Sequence, residues 1–338
     1  MKAIQITKHG GPKVLVPADV PVPELNEDQL LINVKAAGIN FADILSRQGL
    51  YADAPRPPFT PGYEIAGVVE KVGTNVTGFS EGDRVTAITN FGGYAEYAVS
   101  HPAFTFKLDN SVSFIYGAAI PINWITAYHS IFFTGIVNKG DRVLIHAAAG
   151  GTGIAAVRLL KSRGCVVFGT AGSENKLKFL KNIGVDYPIN YREEDFSKAV
   201  KNVVGERGID LIIDSIGGDY IRKGLKLLRA NGRIVVMGFA SFAGKSKVAI
   251  SFRSLKKFMV SPFHLMGYSN AVYGVYISRI IKDRPDLCTK AFSKVVEMLN
   301  AGKISPTIDS MYSLENAADA HRLIENRKTI GKVILNNE

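Results

Sequence analysis

Between Leu144 and Gly153 the chain reads LIHAAAGGTG, an apolar run followed by a turn of small residues, and it continues into the helical stretch GIAAVRLLKSRG. Strand, tight turn and helix in this order form a place for phosphate. Backbone N–H groups at a helix start point outward, and only small residues let an anion approach them. Ala148, Gly150 and Gly153 stand at the three positions of the G-x-G-x-x-G dinucleotide spacing, with Ala in place of the first Gly. The amides of Gly150, Gly151, Thr152 and Gly153 are the expected pyrophosphate cradle. No Lys-Ser or Lys-Thr pair follows the turn, which disfavours a Walker-type site. The next strand, CVVFGTA, ends without the acid that would hold a ribose 2′-hydroxyl. Ser173 and Lys176 follow it, a hydroxyl and a cation suited to a 2′-phosphate. Ser173 also reads as a helix cap, Lys176 as a surface residue, and Glu174 would repel phosphate if turned inward. The cofactor expected from this balance is NADP(H).

These residues require a parallel sheet to hold them. From Asp141 to about Gly238, strands such as RVLIHAA, CVVFGTA, DLIIDSI and RIVVMGF alternate with amphipathic helical stretches, the pattern of a doubly wound α/β domain. The first 120 residues have a different texture, with short apolar runs (LLINVKAAGI, YEIAGVVEKVG, GDRVTAIT, GGYAEYAVS) separated by turns, as in an antiparallel β domain. After Gly274 come two helical patterns, TKAFSKVVEMLNAGKI and SLENAADAHRLIENR, and a closing strand, GKVILNN. This tail is expected to pack back on the first domain, giving one domain of 1–124 with 274–338 and another of 125–273. Residues 241–270 read ambiguously, as an edge strand with a loop.

Composition narrows the class. The 338 residues are 46% hydrophobic and 21% charged, a globular mixture, and no run approaches the ~20 apolar residues of a membrane span. The start, MKAIQITKHGG, is too polar for a secretory signal, so a cytoplasmic protein is expected. Two cysteines, Cys165 and Cys288, make neither a disulfide framework nor a four-thiolate zinc site. The net charge of +11 admits a polyanion partner, yet Lys and Arg are scattered and their clusters are short, as in SLKKF at 254–258.

With these residues placed, the chain resembles the zinc-free, zeta-crystallin-like quinone oxidoreductases of the medium-chain dehydrogenase/reductase superfamily, and among them the branch of the vesicle amine transport protein. The likeness rests on AAGINFADILSRQGLY, PGYEIAGVVEKVG, GGYAEYAV, NWITAYHSIF, HAAAGGTG, INYREEDF and ENRKTIGKV, in this order along nearly the whole chain. It implies a Rossmann-type sheet joined to a GroES-like, mainly antiparallel β domain, and a homodimer. Zinc-dependent relatives carry Cys in the first motif and His before the Glu of the second; here Asn40 and Tyr63 stand in those motifs, so no metal is expected. The resemblance also places Asn40 and Thr126 near a nicotinamide, and Tyr191 and Arg327 near the adenosine phosphate. Arg327 could equally serve as a helix C-terminal cation, and Tyr191 as packing. Ser215, Gly238 and Phe239 fall at or just beyond later strand ends, where open α/β sheets bind ligands.

Without a Lewis acid to hold an alkoxide, an already activated acceptor is the better substrate. A quinone, or an alkene conjugated to a carbonyl, takes hydride and spreads the charge onto its own oxygen. The polar groups expected to assist are Asn40, Tyr51 and, less directly, Tyr63; Tyr51 reads equally as packing on a Pro-rich loop. The expectation is an NADPH-dependent quinone or enone reductase. The competing reading is a nucleotide-bound, non-catalytic protein that binds anionic membrane or RNA through its basic surface, with FRSLKKFMVSPFHLM as the contact.

Overall fold

The computed structural model describes residues 1–242 and 259–337. The chain forms two compact units, Met1–Ile125 with Ile281–Glu338, and Thr126–Ile280. Both boundaries fall inside helices, α3 (Pro121–Tyr128) and α9 (Ile277–Asp283).

In the first unit, β1 (Lys2–Ile6) pairs with β2 (Leu15–Asp19). A seven-stranded sheet is built from β3 (Leu30–Ile39), β4 (Glu64–Val72), β5 (Arg84–Ile88), β6 (Tyr97–Ser100), β7 (Thr105–Lys107), β14 (Ile308–Ser313) and β15 (Lys332–Asn336). Its order is β14-β15-β3-β4-β5-β7, with β6 also on β3; every pairing is antiparallel except β14 with β15. The helices are α1 (Phe41–Arg47), α2 (Phe114–Ala118), α10 (Pro285–Asn300) and α11 (Ala317–Glu325). Alternate residues of β3 and β4 enter a core with Ile4, Ile32, Val34, Ile65, Val85 and Val333. The middle of this sheet has no room for side chains at one point. A Cβ on Gly67 would stand 2.0 Å from the Asn33 carbonyl oxygen, where the β3–β4 register slips.

The second unit is a six-stranded, wholly parallel sheet in the order β10-β9-β8-β11-β12-β13. Its strands are β8 (Arg142–Ile145), β9 (Val166–Ala171), β10 (Tyr187–Asn190), β11 (Ile209–Asp214), β12 (Leu228–Val236) and β13 (Ala271–Gly274). Helices α4 (Gly151–Ser162), α5 (Glu174–Asn182), α6 (Phe196–Val204) and α7 (Asp219–Leu225) link the successive strands from β8 to β12, and α8 (Pro262–Tyr268) precedes β13. The first strand lies in the middle and the order reverses beside it, the Rossmann arrangement. Leu144, Phe168, Ile212 and Ile234 fill the core from four neighbouring strands.

The fold is the two-sheet α/β architecture read from the sequence, with three local differences. β12 begins earlier than the expected strand RIVVMGF, with LLRANG supplying its start; Leu227 and Leu228 are buried, and Asn231 takes a left-handed φ of 62°. IDSMYS, not read as a strand, is β14; its alternating half-buried and exposed residues suit a short edge strand. In the ambiguous stretch, 259–270 contains α8 and the edge strand comes later, as β13, while 243–258, including SLKKF, lie outside the described residues. The steric argument at β3–β4 predicts that Gly67→Ala lowers the unfolding free energy by at least about 1–3 kcal/mol, read as an earlier midpoint in urea.

Candidate active site

Parallel strands present all their C-terminal ends on one side, and the second unit gathers its polar residues there. The turn after β8 leads directly into α4. Its first intrahelical bond runs from Ile154 N to Gly150 O at 2.8 Å, so the amides of Gly151, Thr152 and Gly153 precede the helical ladder. The two retained glycines differ in what demands them. A Cβ on Gly153 would stand 2.5 Å from Ala147 O and 2.7 Å from Ala148, so the turn itself excludes a side chain. At Gly150 the nearest atom would be Ala147 O at 3.4 Å, an ordinary contact. Protein packing leaves space there, which fits a position kept small for a ligand. Ala148, in place of the first Gly, is fully buried against Gly169 of β9.

Sequence reasoning missed the support beneath this turn. His146 is buried, its Nδ1 lies 3.2 Å from Thr170 Oγ1, and Ala147 N donates to the same oxygen at 3.3 Å. Ala148 N donates to Thr170 O at 3.0 Å. Thr170 therefore braces the turn at the strand end where an acid was sought. Burial pushes the His146 imidazole down to about 3, so the support is neutral at physiological pH. Phe196 and Tyr220 pack edge-on against its ring at 4.6 and 4.7 Å.

At the end of β9, Ser173 is the N-cap residue of α5, and its side chain makes no capping hydrogen bond. Lys176 follows on the first turn of that helix. Tyr191, just beyond β10, lies over the same place, since a Cβ on Gly172 would stand 2.5 Å from its hydroxyl. Ser173 and Tyr191 are thus brought together. Ser215 and Gly238 meet at the ends of β11 and β12, where Ala240 N donates to Ser215 O at 3.1 Å, with exposed Phe239 between. Gly238 could not carry a side chain without meeting Ser215 O at 3.0 Å. Thr126 lies on α3 at the start of this unit, nearly buried. Arg327 belongs to the other unit, exposed in a left-handed turn (φ 55°) after α11.

In the first unit, three adjacent strands build a buried polar cluster. Val333 of β15 faces Ile39 of β3, so Lys332 comes opposite Asn40; Ala37 faces Ile65, so Gly38 lies beside Glu64. The missing side chain at Gly38 makes room for the carboxylate, because a Cβ there would stand 2.6 Å from Glu64 Oε1. Asn40 Nδ2 donates to Glu64 Oε1 at 2.6 Å. Its Oδ1 accepts from Lys332 Nζ at 2.7 Å and from Asn123 Nδ2 at 2.9 Å. Lys332 also forms an ion pair with Glu64, and Glu64 Oε2 accepts from Ile122 N at 2.7 Å, on the first turn of α3. Lys332 and Glu64 are among the most hidden charges in the chain, at 3% and 0% exposed.

Tyr51 and Tyr63 touch edge-on, with ring centroids 5.7 Å apart. Ser46 Oγ donates to Ala42 O at 2.8 Å, so its 3.0 Å bond with the Tyr63 hydroxyl uses the proton of Tyr63. That proton is committed inside the fold. Asp43 accepts from Asn40 N at 2.7 Å and from Gly62 N at 3.1 Å, an organiser of the loop around α1. Among the described residues, no three His, Cys, Asp or Glu side chains gather as a metal site.

A GroES-like antiparallel sheet and a Rossmann sheet carried by one chain define the medium-chain dehydrogenase/reductase architecture. Residues 26–110 match the alcohol dehydrogenase GroES-like domain family, and residues 183–335 the zinc-binding dehydrogenase family. The chain is 37% identical over 342 residues to the synaptic vesicle membrane protein VAT-1 homolog of Danio rerio, spanning 100% of this chain and 70% of that protein. It is 36% identical to the quinone oxidoreductase of Homo sapiens, spanning 99% and 97%. Two solved structures superpose on it closely. Human VAT-1 homolog-like protein gives a TM-score of 0.87 at 30% identity, covering 100% of this chain and 98% of that one. Escherichia coli quinone oxidoreductase complexed with NADPH gives 0.88 at 29% identity, covering 99% and 100%. The chain belongs to the quinone oxidoreductase family of this superfamily, in the branch that includes the VAT-1 homologs.

Burial raises the Asp43 carboxyl from 3.8 to about 7, with Glu64 adding to the shift and Lys332 and the two backbone donors opposing it. The native state then holds a proton that the unfolded chain has released, so stability falls as pH rises from about 4 to about 7 and levels off above. Urea unfolding across this window should show a decline of up to about 1.4 kcal/mol per pH unit from this group, absent in Asp43→Asn. Parallel curves for both proteins would contradict it.

Proposed function

We infer that the chain is an NADPH-dependent oxidoreductase that reduces a quinone or an α,β-unsaturated carbonyl compound without a metal ion. The observation that carries this reading is the turn before α4, where Gly150 is small although the protein around it has room for a side chain. The amides of Gly151, Thr152 and Gly153 would hold a pyrophosphate, while Gly150, whose own N–H is donated to Ala147 O at 3.0 Å, would give it room by its small size. In the second unit, Ser173, Lys176 and Tyr191 would take the adenosine 2′-phosphate, and Ser215, Gly238, Phe239 and Thr126 the rest of the nucleotide; the roles of Arg327 and Asn40 toward it rest on the family resemblance. The NADPH found with the Escherichia coli relative supports NADPH as the cofactor. When bound, the reduced nicotinamide supplies a hydride.

The chain's own residues have a smaller task, because the acceptor delocalises its own charge. They must orient it, keep water away and offer a hydrogen bond to the oxygen on which charge develops. Asn40 and Tyr51 are the groups for that bond, and Tyr51 or solvent returns the proton. Tyr63, whose hydroxyl is engaged with Ser46, supports the Tyr51 ring. Metal independence is supported by the donor chemistry: an amide and a phenol stand in the two motifs, and the Glu64 charge is met by Lys332. A homodimer is part of this reading, with the outer edge of β13 open to a second strand among the described residues.

Calorimetry should find NADPH bound, and purified protein should oxidise it with members of a panel of quinones and enones. Neither uptake nor oxidation across a broad panel would refute the reading. Lys176→Ala should weaken NADPH binding about tenfold or more, the worth of a charge-assisted contact, with little change for NADH; equal losses would show that Lys176 does not read the 2′-phosphate. The membrane reading draws support from exposed Met259, Phe263 and Met266 near α8. Co-sedimentation with anionic vesicles at low salt separates it from the reductase reading.

A further inference from the structure

We propose that Lys332 and Glu64 are positioning residues that lock the Asn40 side chain as a donor-only group, so that the ligand atom it meets must be a hydrogen-bond acceptor. This rests on the functional reading above, in which Asn40 faces the reacting ligands. The two ends of an Asn side chain have nearly the same shape, and only partners decide which end is oxygen. Here the partners leave one answer. The Lys332 ammonium can only donate, and it lies 2.7 Å from Oδ1. Asn123 Nδ2 donates to the same oxygen at 2.9 Å, filling both lone pairs. The Glu64 carboxylate accepts from Nδ2 at 2.6 Å. A flipped amide would set N–H against an ammonium and oxygen against a carboxylate, in a place from which water is excluded.

Of the polar capacity of the amide, one Nδ2–H is left. It suits the carbonyl oxygen of a quinone, an enone or a carboxamide, and it rejects a group that can only donate. Lys332 and Glu64 thereby choose the ligand class without touching the ligand. They also hold one another: the ammonium neutralises the carboxylate, and Ile122 N at the start of α3 satisfies its second oxygen.

The test uses the whole chain and four proteins: wild type, Asn40→Ala, Glu64→Gln/Lys332→Met, and the combination of all three substitutions. The double variant removes both charges at once, leaving neither buried alone. Without nucleotide, hydrogen exchange of the Asn40 side-chain amide, identified by its loss in Asn40→Ala, should be at least tenfold faster in the double variant. With NADPH and a quinone found active for the wild type, the double variant should lose kcat by tenfold or more while NADPH affinity changes less than threefold. The triple variant should lose no more than Asn40→Ala alone, because the pair acts only through Asn40. Unchanged exchange, wild-type turnover in the double variant, or losses that multiply in the triple variant would each overturn the proposal. Should the double variant not fold, Glu64→Gln/Lys332→Gln, which also leaves no charge buried alone and keeps more of the side-chain volume, is read by the same measurements. If the wild type oxidises no NADPH with any acceptor, the functional reading fails, while the exchange measurement still decides whether the amide is locked.

Discussion

The first unit is organised around a buried ion pair. An ammonium and a carboxylate taken out of water cost several kcal/mol each unless they meet and their remaining hydrogen-bonding capacity is used. Lys332 and Glu64 meet across a single intervening strand, and Asn40 and the amide of Ile122 take up further capacity, with Asn123 in turn donating to Asn40. The geometry needs β15, β3 and β4 side by side in one register, Gly38 without a side chain, and the start of α3 close by. Loss of either charge alone would strand the other, at about 3–5 kcal/mol in comparable cases. The pair thus specifies an arrangement as much as it stabilises one.

The second unit follows a different constraint, close approach. Ala148 against Gly169, and Gly153 against Ala147, bring helix α4 down onto the sheet. Thr170 and neutral His146 pin the turn from below, leaving its upper side to the amides. Here packing is tight on the protein's side and loose at Gly150, the reverse of what a purely structural turn would need.

Much of this was legible in the sequence because it is written in local patterns. Strand–helix alternation announced the parallel sheet, and the spacing of Ala148, Gly150 and Gly153 announced its turn. Asn40 was found through its motif, but the partners that give it meaning were not. Lys332 is 292 residues away, and only the pairing of β15 with β3 makes it a neighbour. Glu64 was visible merely as the residue after Tyr63. Thr170 was read for what its position lacks, an acid, while its role is to brace the turn. The strand β14 escaped because an edge strand of mixed polarity carries a weak pattern. Long-range pairings leave no periodic trace, so residues that act through them are the ones a sequence hides.

The interrupted course of the first unit bears on its assembly at the ribosome. Every strand of the Rossmann sheet precedes Ile280, whereas β3 must wait for β15, which follows all the other elements. Domains tend to form as their residues emerge. The Rossmann unit can therefore mature while its neighbour still lacks a strand, and Glu64 has no Lys332 beside it until β15 has been made. The first unit is thus completed only after every strand of the second has been made.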